Sequence, residues 1–269
     1  MQAIPVLKHF CCGSNVILSL YPHLILSLPK SMLRTHLTIL ENSASRFANA
    51  AVFRTPEIDS STKRIKGWKS ITYREFYRDV ETFAKHWTRM LRDNGIPQRS
   101  VVGVWYVFHM LVYWILILLW GRLSGFLYTD VLHIYGLSRA GYIPQLFSIR
   151  LPNPIVIYEL LCRAGARALV YDVSFSNILG DCPVPTHLAS DVRGLDLRGV
   201  PLPPILSVTQ EDIGFIFHTS GSTSGSPKLV LCRYRWLLNV VEKSYLMCRP
   251  RNPHRQDVTV FMYASLPLS

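Results

Sequence analysis

A glycine- and hydroxyl-rich segment that ends in a lysine occupies residues 218–228 of this 269-residue chain and reads His-Thr-Ser-Gly-Ser-Thr-Ser-Gly-Ser-Pro-Lys. Glycines at two positions let the backbone turn tightly, so that its N–H groups can approach an anion. The hydroxyl groups add hydrogen-bond donors, and the lysine adds a positive charge. The pattern predicts a loop that binds a polyphosphate. The residues predicted to contact it are Thr219, Ser220, Gly221, Ser222, Thr223, Ser224, Gly225 and Lys228.

Two other interpretations fit part of this pattern. A Walker A loop requires Gly-Lys-Ser/Thr at the start of a helix, whereas Pro227 precedes the lysine here. A flexible linker fits the composition, because Ser and Gly dominate it. Linkers rarely join two strongly apolar strands, however, and the runs 213–217 and 229–231 flank this segment. The context therefore favours a phosphate-binding loop.

Helices and strands alternate along the chain before the loop, as the spacing of apolar residues indicates. The predicted helices are 72–91, 129–140 and 153–164, and the predicted strands are 100–105, 141–144, 168–171 and 213–217. Such alternation predicts an α/β fold with a mostly parallel sheet flanked by helices. The segment 172–207 is rich in Pro, Asp and Gly, and we expect it to be a long surface connection.

Capping residues define the ends of these predicted helices. Thr72 with Glu75 forms a capping box, and Thr129 is expected to cap the second helix. Asn153 followed by proline begins the third, which Gly165 ends. Pro144 is expected to end the short strand before it.

Residues 219–228 resemble the phosphate-loop signature of the adenylate-forming (AMP-dependent) synthetases, whose usual form is one residue shorter between threonine and proline. With His218 before it, the sequence of this segment is similar to that of the fungal adenylate-forming reductases, relatives of aminoadipate reductase and the carboxylic acid reductases. Residues 130–144, 151–154 and 255–260 resemble the same group. The likeness covers roughly 37–262, with one interruption.

The resemblance implies activation of a carboxylic acid by ATP and Mg²⁺ to an acyl-adenylate, with release of pyrophosphate, by a cytoplasmic enzyme. In the reductase group the acyl passes to a phosphopantetheine carrier and is reduced with NADPH. Residues 219–225 would hold the β- and γ-phosphates, with Lys228 assisting. Positioning and charge neutralisation around the leaving pyrophosphate would be their contribution. No catalytic residue or metal ligand is assigned within this chain.

The same resemblance implies that the adenine, ribose, metal and acid contacts and a catalytic lysine lie downstream of the loop. We therefore expect the chain to be a truncated N-terminal part of an adenylate-forming enzyme's large domain that folds poorly and does not adenylate alone. The predicted organisation is a leader at 1–34, a partial AMP-binding domain at 35–262 and an unrelated tail at 263–269.

A stretch of 21 residues without charge, 101–121, is long enough to span a bilayer. One interpretation is a single-span membrane protein that carries a nucleotide-binding remnant. The favoured one is an apolar insert at 106–122, because its removal joins a strand to a glycine turn and a capped helix. Trp105-Tyr-Val and Arg122 can be encoded with splice donor and acceptor sequences that preserve the frame, and residues near Met262 repeat the donor pattern. An unspliced intron is the hypothesis for both segments.

The net charge of +12 comes from scattered basic residues that accompany no nucleic-acid-binding motif, so no nucleic-acid partner is expected. The two clusters that exist are Lys63, Arg64, Lys66, Lys69 and Arg249, Arg251, His254, Arg255. Six cysteines without C-x-x-C spacing indicate reduced thiols rather than a metal site or a disulfide framework. A third function class, a non-catalytic interaction protein, has no positive sequence feature in its favour.

Overall fold

A six-stranded, mostly parallel sheet is the central feature of the computed structural model, which describes residues 16–18, 33, 35–59, 61–62, 64–105, 126–147, 151, 153–219, 227–247 and 259–261. The strands are β1 (Val16–Leu18), β2 (Ala51–Ile58), β3 (Ile65–Thr72), β4 (Val101–Trp105), β5 (Ile143–Phe147), β6 (Ala168–Tyr171), β7 (Thr186–Leu188), β8 (Ile213–His218), β9 (Leu229–Arg233) and β10 (Thr259–Phe261). The helices are α1 (His36–Arg46), α2 (Tyr73–Asp93), α3 (Phe126–Arg139), α4 (Pro154–Ala164) and α5 (Tyr234–Met247), with a 3₁₀ helix at Val173–Ile178.

The strand order of the main sheet is β7-β6-β4-β5-β8-β9. All neighbouring pairs are parallel except β8 and β9, which form an antiparallel hairpin. Strands β2 and β3 form a separate antiparallel hairpin, and β1 pairs with β10. The predicted α/β class and the mostly parallel sheet flanked by helices are confirmed.

Side chains alternate between the two faces of the sheet, as the two-residue period of a strand requires. On one face, Val102 and Val104 join a buried cluster with α2 and α3. On the other, Trp105 joins a cluster with Leu160 and Leu161 of α4. Helices therefore cover both faces, which explains why β4 is apolar throughout.

Helices α2 and α3 pack closely because α3 carries a glycine at the crossing. A Cβ atom placed at Gly136 would lie 2.6 Å from the Cβ of Phe83 and 3.1 Å from its backbone. Both helices add aromatic rings to the core beside this contact, and Phe83 and Trp87 are fully buried. The tight crossing positions α3 on the sheet face that β4 and β5 form.

Several predicted elements are confirmed with their caps. The α2 helix begins after Thr72, whose N–H donates to Glu75 Oε2 at 2.7 Å while its Oγ1 accepts from the Glu75 N–H at 3.2 Å. The α4 helix has Asn153 as its N-cap and Gly165 in the left-handed conformation (φ 63°) at its end. Strands β4, β6 and β8 lie where the apolar runs predicted them.

The predicted start of the second helix was wrong. The α3 helix begins at Phe126, so Thr129 lies inside it and is not its N-cap. The apolar residues around Thr129 continue the buried face of α3, as the burial of Tyr128 and Leu132 shows, so packing extends the helix past a residue that favours a cap.

The prediction that Pro144 ends its strand was also wrong. It is the second residue of β5 and lies opposite Val102 of β4. The N–H of Ile143 donates to Ser100, so the next backbone nitrogen points away from β4. The proline therefore removes no hydrogen bond toward β4, and on its other side the strands pair at Gln145 and Ile216.

The prediction that 172–207 is only a surface connection was wrong in part. It contains the 3₁₀ helix, begun by an Asp172 side chain that accepts from the Ser174 N–H, and the edge strand β7. Phe175 and Val192 are buried. Phe175 packs with Trp105 and Leu169 against the sheet, whereas Val192 packs into the cluster that α2, α3 and the β2–β3 hairpin form. The segment contributes to the core although it has no hydrophobic period.

The charge-free stretch 101–121 is described only as far as Trp105, where it forms β4 of the sheet. Residues 106–122 of the predicted insert lie outside the described residues, as do most of the predicted leader and the predicted tail. No helix among the described residues has the length and apolar character that a membrane crossing requires.

Candidate phosphate-binding site

The two ends of the predicted phosphate loop meet at the end of the β8–β9 hairpin where the chain passes from one strand to the other. His218 pairs with Leu229 as the last described ladder pair. Beyond it, the N–H of Thr219 donates to the carbonyl oxygen of Lys228 at 2.9 Å. The N–H of Lys228 donates back to Thr219 Oγ1 at 3.3 Å. The structure therefore brings Thr219 and Lys228 together at the base of the loop.

The other six predicted site residues lie outside the described residues. They are Ser220, Gly221, Ser222, Thr223, Ser224 and Gly225. Their phosphate contacts stay a prediction, and what the structure adds is the position of the two residues that bracket them.

The loop leaves the sheet at the carboxyl end of β8, which runs parallel to β5. Because β4, β5 and β6 are parallel as well, their carboxyl ends reach the same edge of the sheet. Open α/β sheets bind ligands in the crevice outside the carboxyl ends of their strands. The position of Thr219 therefore agrees with a ligand-binding loop.

His218, the last residue of β8, packs its ring against Phe147 at the end of β5. The ring centroids lie 6.0 Å apart with an interplanar angle of 27°. Burial lowers the pKa of the imidazole, partly opposed by a hydrogen bond with the Thr219 backbone. A neutral, stacked His218 holds the start of the loop against the neighbouring strand.

Two buried aspartates lie next to the same edge, where β4 and β6 end. The N–H of Asp172 donates to the Trp105 carbonyl at 2.9 Å, and its Oδ1 accepts from Ser174 N at 2.9 Å and Ser174 Oγ at 2.6 Å. Asp130 of α3 is 4% exposed, and its Oδ1 has no hydrogen-bond partner. Burial, followed by the charge of Asp172, raises the pKa of Asp130 well above its ordinary value. Burial therefore favours the neutral form of the Asp130 carboxyl.

Arg163 of α4 makes a contact with the loop that the sequence did not predict. Its Nη1 donates to the carbonyl oxygen of Pro227 at 3.0 Å. The same atom lies 3.5 Å from Glu159 Oε1, one turn earlier on the helix. Arg163 lies 64 residues before its acceptor, and no local sequence signal predicts a contact over that distance.

Among the described residues, no group of three His, Cys, Asp or Glu side chains is arranged to hold a metal ion. Three cysteines fall in this part of the chain, and each is a free thiol: Cys162, Cys182 and Cys232. The first basic cluster is exposed on and before β3, with Arg64, Lys66 and Lys69 facing solvent. The residues of the second cluster lie outside the described residues.

A cleft of about 550 Å³ lies along β9 and the first turns of α5. It is lined by Phe217, Val230, Leu231, Cys232, Arg233, Arg235, Trp236 and Asn239. Leu231 and Trp236 are each nearly half exposed there. The cleft follows the outer edge of β9, which has no partner strand among the described residues, and reaches the pair Phe217 and Val230, one ladder position before the base of the predicted loop.

No protein-family profile matches the sequence. The chain is 33% identical over 202 residues to the AMP-binding domain-containing enzyme iboA of Amanita muscaria (strain Koide BX008). That match covers 72% of this chain and 35% of the relative, so the chain spans about a third of the length of this curated relative.

Solved structures show the same fold. The N-terminal subdomain of Klebsiella oxytoca NpsA in complex with 3-hydroxybenzoyl-AMSN superposes with a TM-score of 0.50 at 18% identity, over 78% of this chain and 44% of that one. A second crystal form of that subdomain gives a TM-score of 0.50 at 20% identity, over 78% and 45%.

The sequence relative and the fold together indicate the class of protein. The chain resembles the N-terminal part of the adenylate-forming, AMP-binding enzymes in sequence and in fold. The resemblance read from the loop and its neighbouring segments is confirmed at this level.

Proposed function

We propose that residues 219–228 hold the β- and γ-phosphates of ATP. The observation that carries this proposal is the pair of hydrogen bonds between Thr219 and Lys228 at the base of the loop. These bonds close the glycine- and hydroxyl-rich segment into a loop of defined ends, at the sheet edge where α/β proteins bind ligands. Backbone N–H groups in such a loop, together with a lysine, suit a polyphosphate.

The reaction that this site would serve is the activation of a carboxylic acid to an acyl-adenylate. The acid's carboxylate oxygen attacks the α-phosphorus of ATP, the bond from that phosphorus to the bridging oxygen breaks, and pyrophosphate leaves. Charge builds on the leaving pyrophosphate, so donors placed around it would stabilise the transition state. The role of Thr219 and Lys228 would be to hold that group in line with the attack.

Mg²⁺ receives no protein ligand in this proposal. The described residues contain no metal-holding cluster, and nucleotide-bound Mg²⁺ usually takes phosphate oxygens and water as most of its ligands. Bound in that way, the ion would neutralise phosphate charge. The residues described here would orient the phosphates and leave the ion's remaining contacts to other parts of the enzyme.

The finer proposal concerns the group of adenylate-forming reductases. The sequence of residues 218–228 supports membership of this group. In the whole protein, a phosphopantetheine carrier and an NADPH-dependent reductase would then follow the adenylating part. The carboxylic acid would be recognised downstream of the loop. We expect acid-dependent exchange of radiolabelled pyrophosphate into ATP only from a polypeptide that includes that downstream region.

Calorimetric titration tests the phosphate-loop proposal. We expect the chain to bind ATP more tightly than AMP, because AMP lacks the β- and γ-phosphates. Replacing Lys228 with methionine should weaken ATP binding about tenfold, the equivalent of about 1.4 kcal/mol, and leave AMP binding unchanged. Lys66→Met, at an exposed position of β3, removes the same charge far from the loop. Equal losses from both variants would contradict the proposal.

A further inference from the structure

The peptide unit between Pro227 and Lys228 is held from both of its sides. Its carbonyl oxygen, on Pro227, accepts from Arg163 Nη1 at 3.0 Å. Its N–H, on Lys228, donates to Thr219 Oγ1 at 3.3 Å. The oxygen and hydrogen of a planar trans peptide point in opposite directions. Two partners on opposite sides therefore fix the orientation of the peptide plane.

The proline makes this arrangement stiffer. Its ring fixes φ, so the backbone on the N-terminal side of the clamped peptide has one soft dihedral fewer. Pro227 is buried, while Lys228 is exposed. A buried carbonyl without a donor would be costly, and Arg163 supplies that donor. The stiff unit ends where the Lys228 side chain begins.

Arg163 itself is held on a rigid support. The α4 helix packs on the sheet through Ile157, Leu160 and Leu161, none of which is more than 1% exposed. Glu159 precedes Arg163 by one turn and pairs with it at 3.5 Å, in the favourable order for a helix. The hydrogen bond from the guanidinium to the carbonyl oxygen is charge-assisted.

We propose that Arg163 is a positioning residue for the phosphate loop: through the Pro227 carbonyl it fixes the peptide that carries Lys228 and so orients the lysine toward bound polyphosphate. This inference rests on the proposed function of the loop. It assigns to the last turn of α4 a role that the glycine- and hydroxyl-rich signature does not contain.

Three substitutions separate this role from simple stabilisation. Arg163→Met keeps much of the side-chain length and removes the donor. Arg163→Lys keeps a donor and a charge, and Glu159→Gln removes the ion pair while leaving the bond to Pro227. Each variant is titrated with ATP and with AMP by calorimetry, and hydrogen exchange of the Lys228 amide is followed in proteolytic peptides that begin at or before residue 226.

We expect Arg163→Met to weaken ATP binding on the order of fivefold, as loss of one such hydrogen bond would, and to leave AMP binding unchanged. Exchange at Lys228 should become faster. Arg163→Lys should recover part of the ATP affinity and part of the protection of the Lys228 amide. The ATP affinity of Glu159→Gln should stay within twofold of that of the unchanged chain. A fall in ATP and AMP affinity by the same factor would assign Arg163 a structural role only and overturn the proposal.

Two further outcomes are decisive. If the unchanged chain binds ATP and Arg163→Met binds it equally well, the positioning role is overturned and the phosphate loop stands. If the unchanged chain binds no ATP, the proposed function of the loop is contradicted and the role of Arg163 falls with it. Exchange at Lys228 then still reports whether Arg163 holds the peptide.

Discussion

Thr219 and Lys228 hydrogen-bond to each other in both directions at the loop end of the β8–β9 hairpin, at 2.9 Å and 3.3 Å. One bond joins two backbone groups and continues the ladder, whereas the other uses the Thr219 hydroxyl. A threonine at this position thus does two things, since its backbone extends the strand pair and its side chain fixes the lysine backbone.

The side-chain half of this pair can be removed alone. Thr219→Val keeps the shape and takes away the acceptor for the Lys228 N–H, which should cost about 1 kcal/mol locally and speed exchange of the Lys228 amide about fivefold. Thr219→Ser retains the hydroxyl, so its Lys228 amide should exchange at nearly the same rate as in the unchanged chain. Equal exchange in all three proteins, measured by hydrogen exchange, would show that the 3.3 Å contact contributes nothing.

The apolar insert yields a prediction about folding. Removing residues 106–122 joins Trp105 to Leu123 and leaves three residues before Phe126, a usual length for a strand-to-helix connection. We expect the shortened chain to unfold cooperatively, at a Tm at least equal to that of the unchanged chain. Calorimetry or circular dichroism measures it.

A deletion of equal length provides the control. Removing 109–125 also leaves three residues between β4 and α3, but they are Tyr-Val-Phe instead of Leu-Ser-Gly. Without the small and glycine residues that a tight turn favours, this variant should be the less stable of the two. If it is as stable as the first, or if the first fails to unfold cooperatively, the boundaries 106–122 are wrong.

How much of this structure the sequence predicted depends on how local each signal is. Thr72 and Glu75 lie three residues apart, so the capping box and the helix were predictable. The three-residue strand β7 pairs with β6 through tertiary contacts, and its own segment has no hydrophobic period. Thr129 has the chemistry of a cap, yet packing against the buried face of α3 places it within the helix.

The candidate site divides in the same way. Thr219 and Lys228 were predicted from one contiguous segment, and the structure places them together. Arg163 belongs to another element and reaches Pro227 across 64 residues, so its contact follows from the fold alone. The raised pKa of Asp130 could not be predicted from the sequence either, because the residues that bury its carboxyl are distant in sequence.

Buried histidines predict loss of stability in acid. Burial, then the charge of His86, lowers the pKa of His133 to about 3, while Asp191 and a bond to the Ser190 backbone oppose the shift. The pKa of His86 is lowered to about 4, first by burial and then by the charge of Arg89. The unfolded chain binds these protons near pH 6.5 and the folded chain does not, so stability falls as the pH drops below about 6.5.

By pH 4.5, His133 alone should contribute a loss of roughly 2–3 kcal/mol in the free energy of unfolding. Urea unfolding at pH 7 and pH 4.5 measures the difference. His133→Gln does not titrate and should reduce it, whereas the exposed Lys66→Met should not change it. The same pH dependence in the chain with and without His133 would contradict the assignment.

We expect Asp130 to have the opposite effect on the pH dependence of stability. Burial raises the pKa of its carboxyl in the folded chain, so the unfolded chain loses this proton at a lower pH than the folded chain does. Folding is therefore progressively disfavoured by this group as the pH rises above about 4. Asp130→Asn should raise the free energy of unfolding at pH 7, measured with urea. A destabilised variant at pH 7 would show that a charged Asp130 is required.

The most direct test of the phosphate loop is to locate ATP on the chain by hydrogen exchange. We expect ATP to slow exchange in peptides that span residues 219–233 and AMP to do so much less. At the same ATP concentration, Lys228→Met should reduce this protection without changing exchange in α2. Protection by ATP elsewhere in the chain, with residues 219–233 unaffected, would contradict a phosphate-binding role for this loop.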